Sequence, residues 1–205
     1  MTFMEKPLNN AVSRRNVMAG MAAFGLAVVA GPAWAISESQ AKDLITRAVA
    51  DINKIINSGK SEAAMLRDFE GIFSNYGDSA VIGQLVLGPD GRTASSAQKS
   101  AFAKAFQGYM SRKYGKRFRE FIGGKIEVSS TRTVKNFFEV MTVAHLAGQS
   151  PFAVDFVVAE QSGRFIDMRI EGISLVKAER AEIGAMLDSR RGDLDRLIAD
   201  LNGMG

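Results

Sequence analysis

The stretch Asn136–Ile170, NFFEVMTVAHLAGQSPFAVDFVVAEQSGRFIDMRI, decides the fold. Phe138, Val140, Thr142, Ala144 and Leu146 alternate with Glu139, Met141, Val143 and His145. After the turn Gly148-Gln149-Ser150-Pro151, the residues Phe152, Val154, Phe156 and Val158 share one face. Ser162-Gly163 turns the chain again, and Ile166, Met168 and Ile170 continue the alternation. Phe165, Asp167, Arg169 and Glu171 then fall on the opposite face. A period of two marks half-buried strands, and connections this short make neighbours antiparallel. Ile126 and Val128 add a strand upstream, so the spacing predicts an antiparallel meander of about four strands.

On both sides of this stretch the period is helical. Ser37 and Gln40 form a capping-box pattern ahead of Ala41, Leu44, Ile45, Ala48, Ile52, Ile55 and Ile56. Met65, Leu66, Phe69, Ile72, Phe73 and Tyr76 make a second stripe, stopped by Gly77. A shorter apolar segment, Val81 to Val86, ends at Gly88-Pro89-Asp90-Gly91. Ser95 or Ser96 caps the longest helix, with Phe102, Ala105, Phe106, Tyr109, Met110 and Tyr114 on its face and Gly123-Gly124 at its end. Downstream, Ile183, Met186 and Leu187 begin a helical end, and Asp193 caps a last turn carrying Leu194, Leu197, Ile198 and Leu201. Helices, sheet, helices: the class is α+β, with helices packed on one face of the sheet.

Residues 1–35 read as a cleaved signal peptide, which leaves 36–205 as a single domain. Lys6, Arg14 and Arg15 precede an uncharged run, and Ala33-Trp34-Ala35 is the small-x-small pattern of signal peptidase. Ser13-Arg14-Arg15-Asn16-Val17-Met18 is twin-arginine-like. The leader holds three basic residues and one acidic residue, so its removal lowers the formal charge from +4 to +2. So small a charge supports no nucleic-acid partner. The chain of 205 residues has no cysteine and one histidine, His145. Disulfide scaffolds, thiolate metal centres and thiol catalysis are excluded, and His-rich metal sites have little to draw on.

Carboxylates on the sheet are the candidates for an enzyme, with Asp155 or Asp167 as a base in apolar surroundings. Alternation alone accounts for both positions as a solvated face with cross-strand ion pairs. No nucleophile elbow or phosphate-binding loop is present. The positive signal is apolar excess. Phe102, Phe106, Tyr109 and Met110 on one helix face would confront Phe138, Val140, Phe152, Val154, Phe156 and Met168 on the sheet. Periodicity leaves open whether these faces enclose a filled core or a ligand cavity.

The run Phe102-Ala-Lys-Ala-Phe106, then Tyr109-Met110, Tyr114-Gly115 and Phe118 to Ile126, resembles the middle of MlaC-type proteins. These are also called toluene-tolerance auxiliary proteins or phospholipid-binding ABC-transport components. Val86-Leu87-Gly88 with Ser95-Ser96-Ala97-Gln98 fits upstream, and Pro151–Phe156 and Gly163–Met168 resemble the family's hairpin. Ile170-Glu171-Gly172-Ile173-Ser174-Leu175-Val176, with Arg180 four residues on, is the most specific element. The sequence departs from the pattern at Phe156, Phe165 and Ala178, where Tyr, Trp and Asn are usual. The resemblance implies a monomeric periplasmic carrier that holds phospholipid acyl chains between helices and a curved sheet, and no cofactor. Its partners would be an inner-membrane lipid-transport complex with a lipid-binding ring and an outer-membrane lipoprotein–porin complex, the exchange maintaining outer-membrane asymmetry. The ten residues that would confront one another across the cavity are the candidate lipid-binding set. A carrier of a polycyclic, hopanoid-like lipid and a small enzyme using a sheet carboxylate are the alternatives.

Overall fold

A computed structural model describes residues 35–115 and 120–204. The leader reading, apart from Ala35, lies outside these residues, as do Lys116, Arg117, Phe118 and Arg119. The described residues form six helices and five strands in the order helix, sheet, helix: α1 (Glu38–Ile56), α2 (Glu62–Tyr76), α3 (Ser79–Leu87), α4 (Ser96–Gly115), β1 (Lys125–Val134), β2 (Phe137–His145), β3 (Phe152–Ala159), β4 (Phe165–Ile170), β5 (Ile173–Ser174), α5 (Leu175–Ser189) and α6 (Leu194–Leu201). All strand pairs are antiparallel and follow chain order, β1-β2-β3-β4-β5. None of the described helices is long and apolar enough to cross a membrane.

Local chemistry sets these boundaries. Ser37 and Gln40 close the capping box at the start of α1, each side chain bonding the other's backbone N–H. Asp78 caps α3, Ser174 caps α5 and Asp193 caps α6. Gly163 sits at φ +61° in the β3–β4 turn, where a Cβ would also strike the Ile36 side chain at 2.9 Å. Ile36 is tied to that hairpin through its N–H, which donates to the Glu160 carbonyl at 3.0 Å. At the other edge, Asn53 of α1 bonds both the N–H and the C=O of Ile126 at 2.9 Å, satisfying backbone groups that no strand pairs.

Two cores result. Ile126, Phe138, Val140, Ala144, Val154, Phe156 and Val158 from the sheet pack with Ile45, Ile52 and Ile56 of α1 and with Met65, Phe69 and Ile72 of α2. The second core is helical: Val86 and Leu87 of α3, Phe102, Phe106, Tyr109 and Met110 of α4, Ile183 and Leu187 of α5, and Leu197 and Leu201 of α6. The aromatic face of α4 therefore belongs to a helix–helix core, and α1 is the helix that lies across β1 and β2. The expected confrontation of α4 with the sheet is thereby narrowed: Phe102 and Tyr109 pack among helices, and only Phe106 and Met110 share a space with a sheet residue of the expected set, Met168. An amphipathic stripe fixes which side of a helix is buried, and the partner is set by how α2 and α3 intervene.

Three further expectations change. Phe165 is buried at 3% exposure although strict alternation puts it on the polar face. The register shifts between Val157 and Val158, so Phe165 pairs with Val158 and comes to the inner face, where Met168 already pairs with Phe156. β1 extends to Val134 through the polar run Ser129–Thr133, held by pairing to β2 rather than by any apolar pattern of its own. The longest helix, α4, is described as far as Gly115, and residues 120–123, ahead of Gly124, are not α-helical.

Candidate functional site

The two cores meet along a seam, and Ile82 of α3 packs against both. A cavity lies in this seam. Its walls are Phe73 of α2, Ser79 and Ile82 of α3, and Ala103, Phe106, Gln107 and Met110 of α4. Phe165, Asp167 and Met168 of β4 and Leu175, Val176 and Glu179 of α5 complete them. The cavity volume is about 30 Å³. It is a narrow slot lined mainly by apolar side chains, with Ser79, Gln107, Asp167 and Glu179 as its polar members.

Several contacts hold the walls in place. The Asp78 N–H donates to the Phe165 carbonyl at 2.9 Å, and the Arg164 guanidinium donates to the carbonyls of Ser74 and Gly77, which tie the end of α2 to β4. Gly77 lets the Phe165 ring approach so closely that a Cβ would stand 2.9 Å from it. Phe165 then meets Phe73 and Phe156 edge-on, at centroid distances of 5.9 and 5.7 Å.

Of the ten residues expected to bind lipid, Phe106, Met110 and Met168 line this cavity. Phe102 and Tyr109 pack into the helical core. Phe138, Val140, Val154 and Phe156 lie in the sheet core, and Phe152 is half-buried against it with its ring edge toward Phe121. Sequence reasoning placed Phe73 and Ile82 on apolar stripes without assigning them to a site. It quoted Leu175 and Val176 only within the family element Ile170–Val176, and gave no sign of Gln107 or Glu179. The one available signal was polarity out of place: Gln107 and Glu179 stand within turns whose other inward positions are apolar.

The carboxylates have structural employment. Asp167 Oδ1 accepts from the N–H groups of Met168 and Val176 at 2.9 and 3.0 Å, and its Oδ2 accepts from the Ser174 hydroxyl at 2.6 Å. It thereby docks the N-terminus of α5 on β4, a favourable place for negative charge. With both oxygens engaged, it is poorly placed to serve as a base. Asp155 lies across from Arg169 of β4, with Oδ1 buried and unpartnered among the described residues. Arg169 instead joins Arg132 in holding Glu139 at 2.5 and 2.7 Å, and these cations keep the Glu139 carboxyl below its ordinary range despite burial. His145 pairs with Glu127 at 3.1 Å and does not line the cavity.

Glu179 is different. It is 1% exposed; Oε1 accepts from Lys113 at 2.8 Å and from the Tyr114 hydroxyl, while Oε2 has no partner among the described residues. Lys113 also pairs with Glu182, whose Oε1 accepts from the Tyr109 hydroxyl at 2.7 Å. Burial disfavours the charged ammonium, but the two carboxylates outweigh it and hold Lys113 above the usual lysine range. Burial and the bond to Glu182 push Tyr109 up to about 12. Both groups therefore hold their protons more tightly in the folded state. Their contribution is complete below the unfolded values and lost as pH rises through the folded ones. The melting temperature is expected to fall as pH rises from about 10 to about 12, and Tyr109→Phe to remove part of that fall. Thermal melts in steps of half a pH unit check this; equal alkaline slopes for the two proteins would refute it.

Among the described residues, no three His, Cys, Asp or Glu side chains gather closely enough to hold a metal ion. A family model described as MlaC protein matches residues 46–203. Among solved structures, the fold is similar to that of the phospholipid-binding protein from Ralstonia solanacearum, determined in complex with a phospholipid. The TM-score is 0.68 at 17% sequence identity, with 80% of this chain and 95% of that chain covered. At that identity the likeness establishes a shared fold. The family match spans well over half of the sequence and takes in every wall of the cavity, so the chain belongs to the MlaC protein family.

Proposed function

We propose that this protein is a periplasmic lipid carrier that shelters phospholipid acyl chains in the seam between its sheet and helical cores. The observation that carries the reading is an apolar slot walled by Phe106, Met110, Phe165 and Met168 in a chain of the MlaC family. At about 0.8 kcal/mol per buried methylene, a sixteen-carbon chain needs on the order of 12 kcal/mol of shielding from water. A carrier supplies that shielding during transit. Methionine suits such a wall, since its unbranched, polarizable side chain repacks around different chains. The slot is narrow, so loading requires side chains on α4, α5 and β4 to give way.

The mature protein starts at Ile36 and works as a monomer. It receives or delivers lipid at an inner-membrane transport complex and at an outer-membrane lipoprotein–porin complex, preserving outer-membrane asymmetry. It carries no cofactor and catalyses no reaction; Asp155 and Asp167 serve the fold. The full set of ten apolar residues takes part in two ways. Phe106, Met110 and Met168 touch the lipid, and Phe102, Tyr109, Phe138, Val140, Phe152, Val154 and Phe156 form the packed layers behind them.

Native mass spectrometry of protein prepared without detergent tests this reading. The expected spectrum shows the protein with phospholipid in stoichiometric amount; a spectrum of bare protein, with no uptake of added phospholipid, would overturn it. One observation favours a second reading. The unpartnered Glu179 Oε2 would be satisfied by a hydroxyl donor, which a polycyclic lipid alcohol offers and an acyl chain does not. Organic extraction followed by mass analysis separates the two ligands.

A further inference from the structure

Two carboxylates stand in the wall of the cavity, and they differ in how they are satisfied. Asp167 has both oxygens engaged, by the N–H groups of Met168 and Val176 and by the Ser174 hydroxyl. Glu179 has one. Its side chain is 1% exposed, Oε1 accepts from Lys113 and Tyr114, and Oε2 has no partner among the described residues. The neutral donors of the wall are committed elsewhere. The Ser79 hydroxyl donates to Gln107 Oε1 at 2.8 Å, and Gln107 Nε2 donates to Ser74 Oγ at 2.7 Å and to the Glu70 carbonyl at 3.2 Å. Otherwise α2, α3 and β4 bring only Phe73, Ile82, Phe165 and Met168 to the walls, none of which titrates.

Charge in this corner does not balance. Glu179 and Glu182 share Lys113, so two carboxylates face one ammonium. Glu182 is 41% exposed, and its bonds from Lys113 and the Tyr109 hydroxyl hold it below the ordinary carboxylate range. Its charge stays hydrated. Arg180, next to Glu179 on α5, is exposed, lies against Gly88 and gives the cavity no second cation. The excess negative charge therefore falls to Glu179. A cavity volume of about 30 Å³ exceeds the roughly 10–15 Å³ that one water needs, so solvent supplies Oε2 with a donor while the slot is unfilled. An acyl chain takes that space and offers no donor. A carboxylate with hydrocarbon against an unbonded oxygen is far costlier than the neutral acid in the same place. Neutralising Glu179 strands nothing, since Lys113 keeps Glu182 and the Tyr114 hydroxyl still donates to Oε1.

We infer that lipid loading is linked to a proton: as an acyl chain fills the cavity, Glu179 takes up one proton from solvent at Oε2, and the lipid leaves as that proton is lost. This rests on the phospholipid-carrier reading and adds to it a proton site and a direction of response. One O–H bond forms, nothing is oxidised, and the proton returns to water on release. The loaded protein binds one proton more than the empty protein, so affinity is highest in acid and falls as pH rises. The linkage is reciprocal: lipid tightens the proton by the same factor by which the proton tightens the lipid. A lipid alcohol at the same place would donate to Oε2 and leave the carboxylate charged, with no proton taken up.

Calorimetric titration of the delipidated wild-type protein with submicellar dioctanoylphosphatidylcholine tests this, because that headgroup does not titrate near neutrality. Run at one pH in phosphate and in Tris, the heats should differ by the buffers' ionisation enthalpies multiplied by a number approaching about one proton per lipid. The dissociation constant should rise by up to about tenfold per pH unit between about pH 5 and about pH 9. In Glu179→Gln the amide oxygen can still accept from Lys113 and Tyr114, and this variant should show a flat pH profile and no proton uptake. His145 pairs with Glu127 and does not line the cavity, so His145→Gln should keep the wild-type slope. A flat profile in His145→Gln, or an undiminished slope in Glu179→Gln, would overturn the inference. So would equal heats in the two buffers with lipid bound, a result that leaves the carrier intact. Absence of binding at every pH would instead remove the carrier reading. Should Glu179→Gln not fold, the wild-type heats and the His145→Gln profile decide the matter.

Discussion

Val154→Asp is expected to abolish folding. Val154 is 4% exposed on the inner face of β3, packed among Phe138, Val140 and Phe156 beneath α1 and α2. Its backbone carbonyl also accepts the Thr142 hydroxyl across the sheet, so the position cannot swing outward without breaking that contact. An aspartate there finds no cation on the inner face, because the arginines of the sheet, Arg132 and Arg169, hold Glu139 on the outer one. The desolvation of an unpaired carboxylate adds to the lost burial of the isopropyl group, and the sum exceeds about 4 kcal/mol. Domains of this size are stable by roughly 5–15 kcal/mol, so most or all of the margin disappears. Circular dichroism melting and solubility on expression check it. A variant that melts near the wild-type temperature would mean that β3 borders a cavity wide enough for water, and the description of a filled sheet core would be wrong.

Met168→Lys should do the reverse, removing lipid and sparing the fold. Met168 is half-buried on β4, where it packs against the margin of the sheet core and lines the cavity. Lysine matches its length and flexibility. Its ammonium would enter a space bounded by Asp167 and by the unpartnered Oε2 of Glu179, so the charge gains partners instead of standing alone. For an acyl chain the same ammonium is prohibitive, since it leaves a cation facing methylene groups with no water between them. The expected result is a melting temperature within a few degrees of wild type and at least a tenfold drop in lipid per protein. Lipid retained at wild-type stoichiometry would show that the ligand sits elsewhere. The two variants together separate core from site, because the first loses the fold itself and the second loses lipid while keeping the fold.

Much of this molecule is legible in one dimension. The capping box at Ser37 and Gln40, the aspartate cap at position 193, the turn at Gly163 and the alternation from Phe138 to Val158 are all local. Each follows from backbone geometry within a few residues, and so do the class and the order of the elements. The family likeness is equally a property of the sequence, carried by residues that recur at fixed spacing.

Tertiary structure alone decided what each buried face meets. Periodicity shows that Phe102, Phe106, Tyr109 and Met110 point inward together, but helical and sheet partners satisfy the same stripe equally well. The choice was made by α2 and α3, which take up most of the space between α4 and the sheet and split one expected core into two, with α4 and β4 meeting only across the cavity. The cavity exists because those cores meet imperfectly, and a seam between non-contiguous elements leaves no period in the chain. Phe165 reached the inner face through a register shift that only its pairing with β3 imposes. Glu179, an ordinary charged residue on α5 when read in sequence, is buried only because Lys113 and Tyr114 arrive from α4, more than sixty positions earlier. Sequence determines local geometry through short-range sterics and hydrogen bonding. The site is made by long-range packing, and no residue carries a record of neighbours that distant.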